Sequence, residues 1–394
     1  MKGINVKRKT KRLVNWRMLL TCVLVGALLT NLSVLSGCST EPQQPSAPPT
    51  VETTEDPMAD RVITDAAGRE LTVPGVGALK HIYYTGASAE IICITLAPDL
   101  AGGTTYDTLS PADYELLPAG MKNLQYLGTT SGQKQLNLEA IMAQDIQLII
   151  SMPFGAPGER DISEADDIQA QTGIPVIILD GSFEEISNNY RFLGGLFGKE
   201  AAAAKLADYC DTKIKDVTSA VATVPASERI SLYYAEGSEG LQTEPDTSSH
   251  GLIFKLAGAN NVAAVEEKQG MGMSDVSLEQ VMAWDPEVII VWSYEVRGGA
   301  ENVIRSDSAW SSIQAVRDGR VYTMPNTPFS WCDRPPSVNR ILGLQWIANM
   351  LYSDAYNVDM VDATKEFYSM FYHVNITDTQ AKELLGNSYP VYQK

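Results

Sequence analysis

Histidine, cysteine and net positive charge are all scarce in this chain of 394 residues, which has three histidines and five cysteines. So few histidines argue against a site built from several imidazole ligands. Acidic residues outnumber basic ones by 48 to 30, and the formal net charge is −18. Because phosphate binding needs a basic face, nucleic acid is not expected as a partner. The widely spaced cysteines predict no disulfide framework.

The composition that remains is typical of a soluble globular protein, with 44% hydrophobic and 20% charged residues. The length suggests about two domains. The chain contains no Gly-x-Ser-x-Gly elbow, no Walker loop and no His-Glu-x-x-His motif. We therefore expect a binding protein without a cofactor or resident metal, rather than an enzyme. A glycan-binding adhesion protein is disfavoured, because such a protein would show all-β patterning.

The amino-terminal segment has the pattern of an export signal. Residues 2–17 carry seven basic residues and no acid, and an apolar run follows over residues 18–35. The short motif Leu-Ser-Gly-Cys that ends at Cys38 resembles a bacterial lipobox, which implies cleavage of residues 1–37 and lipidation of the cysteine. The alternative is an uncut membrane anchor, since the apolar run could just span a bilayer. Cleavage would leave 23 basic and 48 acidic residues, a net charge of −25.

Residues 39–60 contain five prolines among Ser, Thr, Gln and Glu. Such a segment cannot bury enough apolar surface to fold, so it is predicted to be a disordered tether. Together with Cys38, it would hold a folded body near the outer face of the cytoplasmic membrane.

Two segments of the remaining chain are close copies of one another. Residues 136–150 and 276–290 each read as a cap residue (Asn137, Ser277), a short helix, a turn at Asp and a buried strand. Other apolar runs that read as strands alternate with helical stretches, which predicts parallel sheets covered by helices on both faces. The two copies indicate two lobes of similar build.

A stretch of high helix propensity, residues 186–225, lies between the two copies. We predict one long helix that joins the lobes, and the alternative is two ordinary helices inside one lobe. The predicted domains are a signal peptide at 1–37, the lipidated cysteine and tether at 38–60, an amino-terminal lobe at 61–185, the linking helix at 186–225, a carboxy-terminal lobe at 226–352, and carboxy-terminal helices at 353–394, whose placement stays open.

Four features, in this order and spacing, resemble the substrate-binding proteins of iron-siderophore, haem and vitamin B12 ABC importers. They are an Ile-Thr-Asp…Gly-Arg hairpin at residues 61–69, the two repeated modules, and the run Trp-Cys-Asp-Arg-Pro-Pro-Ser-Val-Asn-Arg at 331–340, followed by an apolar helix. The likeness covers residues 61–352. It implies an α/β fold of two Rossmann-like lobes with central parallel sheets, one linking helix and a ligand cleft between the lobes.

The resemblance also implies a function and two partners. The protein would be an extracytoplasmic receptor, expected to be a monomer, that binds a ferric siderophore or a corrinoid. It would deliver this metal chelate to an ABC permease dimer with its ATPase. Glu139 and Glu279, at the same place in the two modules, would each meet an arginine of the permease. The plainer interpretation is that both acids stabilise the start of a helix.

The candidate ligand-binding residues are aromatic or polar residues that follow strands, where the cleft of such a fold lies. Aromatic rings suit a planar or greasy ligand, and an arginine suits an acidic group. For the tryptophan, the resemblance to vitamin B12-binding relatives implies a place in the cleft. The candidates are Tyr84, Ser88, Tyr106, Phe154, His250, Tyr294, Arg297, Trp331 and Arg334.

Several alternatives stay open. Tyr84 could close a core layer, His250 could make a helix-start hydrogen bond, and Arg334 could pair locally with Asp333. Haem is an alternative ligand, with His250 or a tyrosine as the axial group. A second alternative is an oxyanion such as molybdate or tungstate, bound at helix N-termini by hydroxyl groups. The residues in question are Ser88, Thr104, Thr105 and Ser337.

Overall fold

The computed structural model of the chain describes residues 49–51, 56–130, 135–268, 272–293 and 299–388. The predicted signal peptide, Cys38 and most of the predicted tether lie outside these residues. Within the described ranges, no helix is long and apolar enough to cross a membrane.

The first lobe contains two small sheets. Its strands are β1 (Thr50–Val51), β2 (Arg61–Thr64), β3 (Glu70–Val73), β4 (Ile82–Tyr84), β5 (Leu148–Ser151) and β6 (Val176–Ile178). The first three pair antiparallel, and the last three form a parallel sheet in the order β4-β5-β6. Thr50 pairs with Thr64, so part of the segment predicted to be a tether is paired strand. Residues 50 and 51 can add to the hairpin because strand β2 offers them an open edge.

The helices of the first lobe cover the parallel sheet, whose strands are almost wholly buried. A parallel strand needs a crossover connection before the next strand, and the helices supply it. They are α1 (Ala87–Leu96), α2 (Pro111–Tyr114), α3 (Leu138–Ala143), α4 (Glu159–Thr172) and α5 (Ile186–Phe197).

The segment predicted as one linking helix is two helices. Helix α5 ends at Gly198, which has a φ of +66°, and helix α6 (Glu200–Val221) then runs for 22 residues. A left-handed glycine is a common helix terminator, because only glycine adopts that conformation without cost. The long helix of this segment is therefore α6, and it begins later than the predicted linking helix.

The second lobe is built on a four-stranded parallel sheet. The strands of the second lobe are β7 (Ser231–Ala235), β8 (Gln242–Thr243), β9 (Asn260–Asn261), β10 (Ser274–Asp275), β11 (Val288–Val291) and β12 (Val321–Thr323). The parallel sheet has the order β12-β11-β7-β9, and β8 pairs with β10 as a small antiparallel ribbon. The helices that follow are α7 (Leu252–Leu256), α8 (Leu278–Trp284), α9 (Glu301–Ser306), α10 (Gln314–Arg317), α11 (Asn339–Leu351), α12 (Met360–Phe371) and α13 (Asp378–Leu385).

The larger of two apolar core clusters runs through both lobes, and the smaller one lies within the second lobe. One cluster of buried side chains includes β4 and β5 of the first lobe together with Leu232 and Val288 of the second. Helices α6, α11 and α12 complete it, and Phe371 packs its ring 5.4 Å from that of Tyr209. The carboxy-terminal helices, which the sequence left unplaced, contact the first lobe, since Nε2 of His373 lies 3.0 Å from the carbonyl oxygen of Thr95.

We predict that Gly343→Ala lowers the free energy of unfolding by about 1–3 kcal/mol. Helix α11 passes so close to the loop before it that a Cβ at Gly343 would lie 2.1 Å from the carbonyl oxygen of Trp331. Gly195→Ala, also in a helix, is the matched control, because its Cβ would meet only Val51 at 3.7 Å. Urea unfolding of the two variants checks this, and equal stability would contradict the close packing.

Candidate functional site

Loops from both lobes meet at the carboxyl ends of the parallel strands. Strands β4 and β5 are parallel neighbours, so helix α1, which follows β4, and Phe154, which follows β5, lie at the same edge of the first sheet. In the second lobe, Glu236 follows β7 and Trp292 follows β11. In open α/β sheets this edge is where ligands bind.

A buried histidine from the second lobe faces the first lobe at this place. His250 is 4% exposed, and its Nδ1 is hydrogen-bonded to Oδ1 of Asp333. The carboxylate accepts, so Nδ1–H donates and the tautomer is fixed. Among the described residues, Nε2 has no hydrogen-bond partner. The imidazole ring meets the ring of Phe154 edge-on at 5.6 Å, and Phe154 is 42% exposed.

The helix-start hydrogen bond that the sequence left open for His250 is made by another residue. The hydroxyl oxygen of Ser248 accepts from the backbone N–H of Gly251, at 2.8 Å, directly before helix α7. The histidine is therefore available for another role.

Arg334 joins three acids beside this histidine. Its guanidinium lies 2.9 Å from Glu236, 2.7 Å from Glu244 and in contact with Asp333. The three carboxylates are fully buried and the arginine is 11% exposed. The local pair with Asp333, which the sequence left open as an alternative to ligand binding, is present as one part of a larger cluster. Arg334 also lies over the ring of Trp292, at 5.3 Å, and has a φ of +48°, which a side chain this large adopts only when its surroundings hold it there.

Two acids of this cluster have pKa values shifted in opposite directions. Burial alone would raise the pKa of Asp333, but the charge of Arg334 and the interaction with His250 outweigh it and hold the pKa at about 2. Burial raises the pKa of Glu236 well above its usual value, and the negative neighbours Asp333 and Glu244 raise it further against the opposing charge of Arg334. Asp333 therefore stays ionised beside the histidine at neutral pH.

Arg340 fixes the two loops that carry this pair. It is fully buried and donates to the carbonyl oxygens of Cys332, at 3.1 Å, and Ser249, at 2.9 Å. The sequence prediction missed Arg340, Glu236 and Glu244, although Glu236 directly follows a predicted strand. Within the described ranges, no group of three or more His, Cys, Asp or Glu residues is arranged to hold a metal ion.

Two predicted cleft residues lie in the core instead. Tyr84 is fully buried in β4 beneath the covering helices, with its ring 5.7 Å from that of Tyr83. Trp331 is 2% exposed, and its indole N–H donates to the hydroxyl of Tyr368 on α12 at 3.4 Å. Both corrections have the same cause, which is that an aromatic residue beside a strand end can face the interior as readily as the cleft.

The other candidates have varied positions. Ser88 is 3% exposed in the first turn of α1, and Tyr106 packs on Phe329 with ring centroids 4.9 Å apart. Thr104 and Thr105, suggested for an oxyanion, both donate to the carboxylate of Glu90. Two of the predicted ligand residues lie outside the described residues, namely Tyr294 and Arg297.

The repeated modules fold alike, as predicted. Side chains of Asn137 and Ser277 accept from the backbone of the first helical turn, at 3.0 and 3.2 Å. Residues 141–150 and 281–290 have the same order of buried and exposed positions, so α3 and α8 expose matching faces. These faces carry the exposed acids Glu139 and Glu279 and two exposed methionines, Met142 at 46% and Met282 at 42%.

Comparison with known proteins identifies the family to which the chain belongs. A family model described as periplasmic binding protein matches residues 82–328, which is more than half of the chain. The chain belongs to this family. An ABC transporter solute-binding protein from Sulfurospirillum deleyianum has 30% sequence identity and a TM-score of 0.74, over 82% of this chain and 98% of that one.

Two curated relatives bind different ligands. The molybdate-binding protein MolA of Haemophilus influenzae is 24% identical over 349 residues, or 81% of this chain and 92% of that protein. Its molybdate-bound structure has a TM-score of 0.64 to this one. The iron(3+)-hydroxamate-binding protein FhuD of Bacillus subtilis is 23% identical over 220 residues, or 54% of this chain and 67% of that protein.

The periplasmic binding protein described here is thus a solute receptor of the ABC importer type, with the predicted two-lobe α/β fold. Proteins of this class work outside the cytoplasm and pass a small ligand to a permease and its ATPase. Family membership does not determine the ligand, because relatives with this fold bind different ones.

The acid cluster predicts opposite pH effects for two substitutions. Because its pKa is raised in the folded state, Glu236 destabilises the protein increasingly as pH rises above about 4.5. Glu236→Gln should therefore gain stability relative to wild type at pH 8, and little at pH 4.5.

Asp333 has a lowered pKa, so its contribution of roughly 2 kcal/mol to the free energy of unfolding is present at pH 7 and is lost as pH falls from about 4 to 2.

Asp333→Asn should accordingly lose stability at pH 7 and differ less from wild type near pH 2. Thermal unfolding of both variants across this range checks the assignment. Parallel pH profiles for the two would contradict it.

Proposed function

We propose that this periplasmic binding protein captures a metal chelate, a ferric siderophore or a corrinoid, between its lobes and delivers it to an ABC permease. The observation that carries the proposal is the pair of His250 and Asp333. A carboxylate on one ring nitrogen of a histidine, with the other nitrogen directed at a metal, is a recurrent arrangement at metal sites.

The environment of His250 supports this role. Leaving a buried acceptor without a partner costs about 1–3 kcal/mol, and Nε2 is such an acceptor in the described part of the chain. A metal with an open coordination position would satisfy it. One nitrogen is too few to hold a metal ion by itself, so the ligand must bring the remaining donors, as a chelate does.

Phe154 supplies the matching apolar wall. Its ring is 42% exposed and lies against the histidine from the opposite lobe. An exposed aromatic ring offers a large contact area to a planar or aromatic chelate. The two residues together would contact the metal and the organic part of the same ligand.

The test uses the ferric complex of a tetradentate bis-catecholate, which leaves two coordination positions open, and aquocobalamin. Binding through His250 should shift the visible absorption of the metal complex, and His250→Ala should abolish the shift and weaken binding at least tenfold. His81→Ala, at an exposed histidine, is the control and should behave as wild type. A shift retained in the His250 variant would contradict the proposal.

The second candidate ligand is an oxyanion, which the likeness to MolA favours. Here His250 would act as a donor in its protonated form rather than as a metal ligand. Thermal unfolding with molybdate, haem and the two chelates separates the candidates, because a ligand at 100 times its Kd adds about 2.7 kcal/mol. Stabilisation by molybdate alone would replace the chelate proposal with the oxyanion.

The same proposal assigns permease docking to the matching faces of α3 and α8. Each face presents an acid, Glu139 or Glu279, three residues before an exposed methionine. Two like faces fit a partner made of two like subunits, and acids at the rim of an interface mainly set orientation and association rate. The anchor in this proposal is a lipid on Cys38, which would keep the receptor near the permease.

Reversing these charges should weaken docking. Glu139→Arg and Glu279→Arg should each reduce affinity for the permease in lipid nanodiscs at least tenfold, and the double variant should reduce it more. The reason is that each new arginine would face the arginine expected on the permease, and two positive charges repel. Glu383→Arg, at an exposed acid on α13, is the control. Ligand affinity should stay unchanged, and docking at wild-type strength by the double variant would contradict the assignment.

A further inference from the structure

The first turn of helix α1 is left without a cap. Its N-cap residue, Gly86, has no side chain that could accept a hydrogen bond and has extended backbone angles. No described residue accepts from the backbone N–H groups of Ala87, Ser88 or Ala89. The first four N–H groups of a helix need partners from elsewhere, and this helix end carries partial positive charge.

A second, independent feature lies at the same place. The hydroxyl of Ser88 is buried and has no hydrogen-bond partner in the described part of the chain. Because Cα–Cβ bonds in a helix tilt toward its N-terminus, the side chain of Ser88 leans toward the end of α1 that carries the unpaired N–H groups. One hydroxyl and three backbone amides at this helix end thus lack an acceptor among the described residues.

The acid in the first turn does not serve as that acceptor. The carboxylate of Glu90 is buried and accepts from the hydroxyl of Thr104, at 2.7 Å, and from the backbone N–H of Thr105, at 2.6 Å. Burial raises its pKa, against the opposing effect of these hydrogen bonds. Its two oxygens accept from the loop at residues 104–105 and not from the first turn of α1.

The turn lies where the two lobes meet. Ser337, four residues after Asp333, donates from the second lobe to the carbonyl oxygen of Ser88 at 3.0 Å. Helix α1 also begins at the sheet edge from which Phe154 reaches His250. Gly86 and Ala87 are only half-buried, which keeps a path to solvent.

We propose that the first turn of α1 is an anion-binding subsite, in which the backbone N–H groups of residues 87–89 and the hydroxyl of Ser88 bind a negatively charged oxygen of the ligand. It rests on the proposed function, because it adds an anionic part to the ligand that His250 contacts. The oxygen belongs either to a free oxyanion or to an anionic chelate. The donors are neutral and act at short range, which suits a chain whose net charge of −18 repels anions at a distance.

Ser88→Ala in the full chain tests the subsite, with molybdate and the ferric bis-catecholate as probes. Affinity for at least one probe should fall about tenfold, as expected when a hydrogen bond to a charged group is lost. The melting temperature without ligand should stay equal or rise, because the hydroxyl has no bond to lose. A fall for molybdate alone identifies a free oxyanion, and a fall for the ferric complex alone identifies an anionic chelate.

Ser388→Ala is the control for a buried serine whose hydroxyl is used, since that hydroxyl accepts from the indole N–H of Trp346 at 3.0 Å. It should lower the melting temperature and leave both affinities unchanged. If Ser88→Ala binds both probes as wild type, or wild type binds neither probe, the subsite is overturned, and the proposed function still stands where His250→Ala loses binding of the ferric complex or of aquocobalamin. If neither variant changes the binding of molybdate, the ferric complex or aquocobalamin, both are overturned.

Discussion

The guanidinium of Arg334 is the group on which the arrangement of the candidate site depends. It lies among three buried carboxylates that come from three separate segments, after β7, after β8 and in the loop before α11. Without a positive charge at the centre, these acids would repel each other in a medium that screens them poorly. Removing one partner from a buried ionic group leaves uncompensated charge and is strongly destabilising. The arginine therefore sets where three loops of the second lobe can lie.

This ionic cluster also controls the chemistry of the neighbouring histidine. A histidine that donates from Nδ1 to an ionised carboxylate keeps one ring orientation and presents Nε2 in a fixed direction. Asp333 can accept in this way only while it is ionised, and Arg334 keeps it so. The orientation of His250 thus depends on Arg334, which acts through Asp333.

Much of the fold follows from local sequence. The repeated modules could be predicted because cap residue, short helix, Asp turn and apolar strand are all set by neighbours in the chain, and the paired bonds of Asn137 and Ser277 confirm them. The break at Gly198 is a local feature too, but helix propensity on both sides of it favoured one continuous helix.

The site could be predicted only in part. Arg334 contacts acids about 90 residues earlier in the chain, and no local pattern pairs such distant positions. Tyr84 and Trp331 were assigned to the cleft because aromatic residues suit both ligands and cores, and the sequence alone does not separate the two. His250 and Phe154 lie in contact at the junction of the lobes, and their selection followed from the rule that ligand sites form beyond the carboxyl ends of parallel strands. Their role in ligand binding stays a prediction.

The continuous apolar core has a consequence for how ligand is released. To swing the lobes apart, the protein would have to expose part of that core to water, at about 5 kcal/mol for every 200 Å². Thermal motion seldom supplies this, so the lobes stay together during ordinary exchange with solvent. A ligand held firmly at their junction would leave when work is done on the receptor from outside, and the hydrolysis of ATP by the transporter is a source of that work.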